Sequence, residues 1–243
     1  MGWIFLGLLL GFAAFTLIGT PAMQRSARSP GFSQMLRPLA NPAFARFVPG
    51  YLLNGVAAAL PATLVIFFID DVLVLSSHSG LFLVIYFLSG ALGLPLWVRL
   101  SKRIGTLDAW LVSMALSIAA FVGAFWLGAG DLVGYALVCA ASGFALGADL
   151  ALPPALVADM IDSDPSPQPG AYYGLMSFFA KLTFALAAGL ALPLLDFCGY
   201  TPGGGNLFAL SATYALLPIV MKLCALVWLW RARPITHSGV VPC

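Results

Sequence analysis

Seven apolar runs separated by polar breaks dominate the chain, at residues 2–19, 47–69, 80–98, 107–128, 132–158, 172–195 and 207–230. Each is near the roughly 20 mostly apolar residues needed to cross ~30 Å of hydrocarbon. The runs are continuous and lack the in–out alternation of barrel strands. Backbone in lipid must satisfy its own hydrogen bonds, so each run is predicted to be a helix and the set to pack as a bundle. The expected fold is an all-α polytopic membrane protein with about seven transmembrane helices.

The polar breaks differ by side. Arg25, Arg28, Arg37, Arg46, Arg99, Lys102, Arg103, Arg231 and Arg233 fall in connectors on one side, whereas the opposite connectors hold Asp70, Asp71, Asp131 and Asp196 and no Lys or Arg. Basic residues in short loops mark the cytoplasmic side. The expected topology therefore has an outside amino terminus, seven crossings and a cytoplasmic carboxy terminus. Composition agrees: 61% of residues are apolar and 8% charged, against about 25% charged in a soluble domain. The start of the chain lacks a basic n-region and makes a poor signal peptide. A fragment, a split gene or a misplaced start is the expectation there.

Residues 20–46 read as a polar linker with four Arg, including a short interfacial helix near Phe32–Leu39. Asn41 is placed to cap the next helix, with Pro42 at its first position. Thr106 and Asp131 are expected to cap the fourth and fifth spans, with Asp108 favourable in the first turn of the fourth. Trp97, Trp110, Trp126, Trp228 and Trp230 sit near span ends, as an aromatic belt would. Gly143, Gly147, Ala187, Ala188 and Gly189 would let helices approach closely. The six later spans divide into two triplets that enter from opposite faces. The first helix of each carries proline, Pro61 in one and Pro153-Pro154 in the other, which is the pattern of inverted repeats around a transport pathway.

Three charges fall at membrane depth, where they are costly and usually functional. Asp149 is ten residues inside Asp159, about 15 Å; Lys181 is nine residues into its span, about 13–14 Å. Because sequential helices tend to be neighbours, these two are expected to meet near the midplane or to line one wet cavity. Lys222, nine residues from Arg231, is expected to snorkel toward the cytoplasm. Asn54 is a candidate interhelical hydrogen-bonding group or a pathway residue. Arg99, Lys102 and Arg103 are candidates to pair with Asp159 and Asp162 in a cytoplasmic gate. Cys139, Cys198, Cys224 and Cys243 show no metal spacing, and no nucleophile–His–acid set can be assembled with His78 or His237. No enzyme, resident cofactor, metal or nucleic-acid partner is expected.

Several segments resemble a known family: Leu53-Asn54-Gly55, Leu60-Pro61-Ala62-Thr63-Leu64, Trp97 with Lys102-Arg103-Ile104-Gly105, Ala158-Asp159-Met160-Ile161-Asp162, and Tyr173-Gly174-Leu175 with Phe178-Phe179-Ala180-Lys181-Leu182. Their order resembles the glycoside–pentoside–hexuronide:cation symporters, the melibiose-carrier family of the major facilitator superfamily. The resemblance implies the last helix of an amino-terminal half (1–20), an inter-half linker (21–46), a carboxy-terminal six-helix half (47–232) and a cytoplasmic tail (233–243). It places Lys181 where the melibiose carrier has a Lys facing its cation and sugar region. It also places the family's cation-binding acids in the amino-terminal half, which is not present here.

The resulting expectation is a secondary active transporter of sugar-like solutes in a bacterial inner membrane, coupled to Na+ or H+, in truncated or half-length form. The candidate pathway residues are Lys181, Asp149 and Asn54, and a half-carrier chain is a possible partner besides the lipid bilayer. Alternatives are a non-transporting membrane partner and a seven-helix retinal protein with Lys222 as the chromophore lysine.

Overall fold

A computed structural model describes residues 2–19 and 35–236. Most of the predicted linker (20–34) and the end of the tail (237–243) lie outside the described residues. The first unit is a helix, α1 (Gly2–Gly19), matching the first apolar run.

The second unit begins with a 3-10 turn, Arg37–Ala40, which takes up the described part of the expected interfacial helix. Six long apolar helical segments follow, each long enough to cross a membrane. They are α2 (Pro42–Phe67), α3 (Ser79–Ile104), α4 (Thr106–Phe125), α5 (Leu132–Asp162), α6 (Pro169–Phe197) and a composite last span. That last span consists of α7 (Leu207–Ser211), a wide π-type turn (Ala212–Leu216) and α8 (Leu217–Thr236). A second π-type turn, Phe68–Val72, extends α2. The two-residue strands β1 (Tyr200–Thr201) and β2 (Gly204–Gly205) form a small antiparallel hairpin between α6 and α7.

Helix starts follow local chemistry, with two corrections. Asn41 caps α2: its Oδ1 accepts from the backbone N–H of Ala43 at 2.9 Å and of Phe44 at 3.4 Å, and Pro42 occupies the first turn. Thr106 is not a cap but the first residue of α4, because Gly105, at φ +93°, makes the turn out of α3. Asp131 flanks α5 but turns its carboxylate back to the Gly128 N–H, 2.8 Å away. The prolines inside α2, α3, α5 and α6 do not break these helices.

Helix packing follows the two triplets, α2–α3–α4 and α5–α6–α8. The first helix of each triplet packs chiefly on the second and third helices of the other: α2 on α6 and α8, α5 on α3 and α4. The third helices, α4 and α8, also touch. This exchange of partners is what an inverted repeat would produce, and it leaves α5 and α6 only lightly in contact.

Glycine makes the α3–α5 approach possible. A Cβ on Gly143 would stand 2.2 Å from the Tyr86 carbonyl oxygen, and one on Gly147 would stand 2.6 Å from that of Gly90. Small residues let membrane helices come this close. Gly189, by contrast, faces open space. Trp97 and Trp110 leave the expected interfacial belt: both are buried, and the Trp97 indole N–H donates to the Phe144 carbonyl at 2.7 Å. Trp228 stays exposed, its indole donating to the Arg46 carbonyl at 2.8 Å.

The apolar core has two layers. One, at the end bearing the basic residues, gathers Phe44, Phe47, Trp110, Met160 and Tyr172. The other gathers Leu64, Phe68, Phe82, Tyr135, Leu195 and Tyr214. Outward faces are rich in exposed Leu, Val and Phe, as lipid contact requires. Exposure is uneven: 22% of the most apolar stretch of α3 and of α6 is buried, against 50% for α2 and 56% for α4.

Candidate functional site

Four polar side chains at membrane depth come together, and the central cation is Lys222. Asn54 on α2, Trp110 on α4, Asp149 on α5 and Lys222 on α8 form one connected cluster. The Lys222 ammonium donates to Asn54 Oδ1 at 2.7 Å and stands 3.5 Å from Asp149 Oδ2. Asn54 Nδ2 donates to Asp149 Oδ1 at 2.9 Å, and Trp110 Nε1 donates to the same oxygen at 2.7 Å. Two of the four residues come from the first helices of the triplets and two from the third helices.

Each member answers a cost. An isolated charge at bilayer centre costs about 2.5–3.5 kcal/mol on insertion scales. Lys222 is 2% exposed and Asp149 16%, so each offsets the other's charge. Asn54, 3% exposed, serves both partners, its carbonyl taking the ammonium and its amide serving the carboxylate. Buried polar groups need this kind of complete pairing.

Two members of the cluster, Asp149 and Lys222, form part of the wall of a cavity of about 170 Å³. Asp149, Lys222, Ser117 and Ser142 supply polar lining, with Tyr86 and Phe82 among its aromatic walls. At its other end the hydroxyls of Tyr135 and Tyr214 are 2.8 Å apart, and Tyr214 stacks on Phe68 with ring centres 4.1 Å apart. Pro61 also lines the cavity. Hydrogen-bonding groups beside aromatic faces suit a small polar solute. The volume lies below the ~300–1,000 Å³ of ordinary small-molecule pockets.

The other sequence candidates fall elsewhere. Lys181 is exposed on α6 and is not the partner of Asp149. The expectation failed because α6 packs chiefly on α2 and only lightly on α5. Lys222 does not snorkel; it is buried with its head group inside the bundle. Arg99, Lys102, Arg103, Asp159 and Asp162 are all exposed, and among the described residues no ion pair links the basic set to the acidic set. The ion pair at that end joins Asp108 on α4 to Arg233 on α8. Nearby, Asn41 Nδ2 donates to the Tyr172 hydroxyl at 2.9 Å, which in turn donates to Asp164 at 2.7 Å. Asp164 is held below its ordinary 3.8, first by the Ser166 backbone N–H and then by the Tyr172 hydroxyl. At the opposite end the Tyr200 hydroxyl and the Gly203 N–H both donate to Asp71, tying the hairpin to the end of α2. Burial, and then the bond to Asp71, push the Tyr200 phenol upward.

Sequence reasoning missed Trp110 as a site residue and misread Lys222. The signal was present for Lys222, since nine residues from Arg231 puts it about 13–14 Å deep, the depth assigned to Asp149 and Lys181. For Trp110 no sequence signal distinguished an interfacial indole from a buried donor.

A polytopic all-α bundle with a charged cluster and a cavity at membrane depth has the architecture of a membrane transport protein. Residues 1–237 match the family of MFS/sugar transport proteins, and the chain belongs to that family. No curated protein matches the chain significantly. Family membership makes the protein a transporter of the major facilitator superfamily, a class that is generally non-enzymatic, in contact with the lipid bilayer. It sets aside the retinal reading, although Lys222 does lie buried beside an acid.

Proposed function

We propose that the protein is a secondary active carrier of sugar-like solutes of the melibiose-carrier type, coupled to Na+ or H+, with the Asn54–Trp110–Asp149–Lys222 cluster in its pathway. The observation that carries this reading is the neutralised charge pair on the wall of a cavity between helices of both triplets. Solute would enter beside the pair, and two bundles would rock around it to change access.

The second bundle, in a longer polypeptide or in a separate half-carrier chain, would cover α3 and α6. Two observations support this. These two helices bury the smallest share of their apolar stretches, and Lys181 is exposed at membrane depth on α6, where lipid contact is costly. Asp159 and Asp162, exposed beside the basic end, would then meet cationic groups when the inner side closes. The basic connectors favour a bacterial inner-membrane topology with the amino terminus outside and the carboxy terminus cytoplasmic.

The test is counterflow of radiolabelled melibiose and glucose in liposomes holding the chain alone or together with a six-helix amino-terminal carrier half. The reading expects exchange with the second bundle present and its loss in Lys181→Leu at unchanged insertion. Undiminished exchange by that variant would remove Lys181 from the pathway, and no exchange of any sugar in the assembly would reject the function.

A further inference from the structure

The outer face of the α2–α8 seam has a chemistry of its own at the basic end of the bundle. The two helices approach closely there: a Cβ on Gly50 would stand 2.5 Å from Leu229 Cγ. One residue before Leu229, the exposed Trp228 reaches across the seam and donates its indole N–H to the Arg46 carbonyl at 2.8 Å. That bond holds the ring at the surface of the seam. Arg46 is exposed on α2 and Arg231 is exposed on α8. Arg231 follows Trp228 by three residues and so shares its face of the helix. Two arginines therefore bracket one indole. Among the described residues neither guanidinium pairs with a carboxylate, whereas the neighbouring Arg233 is taken by Asp108.

Depth and surroundings point to a lipid. Arg231 lies nine residues beyond Lys222, about 13–14 Å along the helix. With Lys222 near the midplane, that is the edge of a ~30 Å hydrocarbon layer. Toward the midplane, α8 turns Val220, Leu223 and Val227 outward. Their spacing of three and four residues makes one apolar stripe, which Trp228 and Arg231 continue. Along α8 the surface thus passes from aliphatic side chains, through an indole suited to the membrane interface, to a pair of cations. A phospholipid has the same order: acyl chain, glycerol ester, phosphate. Guanidinium forks match phosphate oxygens with parallel hydrogen bonds. A free anion would leave the apolar stripe unused, and a zwitterionic headgroup would leave the two cations uncompensated.

We propose that the Arg46–Trp228–Arg231 face is a binding site for one anionic phospholipid, in the leaflet at the basic end of the bundle. The phosphate sits between the two guanidiniums, the indole ring packs on the glycerol region, and an acyl chain follows Val227, Leu223 and Val220 toward the midplane. Basic pockets between membrane helices take anionic headgroups in this way. The site does not depend on the carrier reading. Asp149 and Lys222 line the interior cavity, whereas Trp228 and Arg231 face outward on α8, away from the exposed faces of α3 and α6.

The test uses the purified full chain in phosphatidylcholine nanodiscs with a rising fraction of phosphatidylglycerol, one of the two lipids brominated on its acyl chains. Bromine quenches tryptophan at contact, and the difference in quenching with and without Trp228→Phe isolates this ring in each background. The parent is expected to favour phosphatidylglycerol over phosphatidylcholine at Trp228 by about twentyfold. Arg46→Gln and Arg231→Gln are each expected to lower that preference about fivefold, and the double variant to abolish it. Quenching of the double variant by brominated phosphatidylcholine shows that the ring is still in place. Lys102→Gln/Arg103→Gln removes equal charge from the same end of the bundle and is expected to keep the parent preference. No preference in the parent, a preference that survives the double variant, or an equal fall in the Lys102–Arg103 variant would each overturn the inference. So would displacement of phosphatidylglycerol by an equal concentration of inorganic phosphate, the mark of an anion site with no use for the acyl chain.

Discussion

Replacing Lys222 by methionine tests the buried pair through stability alone. Methionine fills much of the lysine stem's volume, so packing changes little while the ammonium disappears. Asp149 keeps the donors Asn54 and Trp110 but loses its counter-charge. Removing one partner of a buried pair costs about 3–5 kcal/mol. The expected loss is therefore about 3–5 kcal/mol, a large part of a typical stability. Reversible unfolding in mixed micelles measures this, with Asp149→Asn/Lys222→Met recovering most of the loss. A single variant as stable as the parent, or a double variant no more stable than the single, would refute the reasoning.

Other outcomes test the remaining contacts. Gly143→Val forces a side chain against the Tyr86 carbonyl 2.2 Å from its Cβ; backbone cannot rotate away, so α3 and α5 must separate, and a loss above about 3 kcal/mol is expected. Gly189→Ala, in open space, should unfold as the parent does in the same assay. The Asp164 contact contributes fully above pH 3.8 and is lost as pH falls below that value, because its carboxyl is depressed when folded. Proteolysis of the α5–α6 connector should therefore accelerate in the parent only as pH falls below 3.8, and Tyr172→Phe should show the faster rate already at neutral pH.

The helices were legible because lipid imposes a length and a composition that survive without knowledge of the neighbours. The observed helices run several residues past the predicted spans at the basic end, through Ser101–Ile104 and Asp159–Asp162, where helical backbone continues into charged sequence that a hydropathy reading excludes. The triplets and their prolines were also legible. The pairing of Asp149 was not, since it depends on which helices touch. Order along the chain suggested α6, whereas the exchange of partners between triplets brings in α8, whose Lys222 lies 73 residues from Asp149. Trp110 was unreadable for a related reason: an indole near a helix end serves an interface or a buried acid according to what packs over it.

The central claim is that the cavity beside Asp149 and Lys222 is open to water and to solute. Ser142 lines that cavity, so Ser142→Cys in a background with every native cysteine replaced places one thiol there. The measurement is its rate of modification in membranes by a charged, bilayer-impermeant thiosulfonate, with and without melibiose or glucose. The account predicts modification of this thiol, slowed when one of the two solutes is present. Labelling by a lipid-soluble maleimide alone, at a rate neither solute alters, would contradict it.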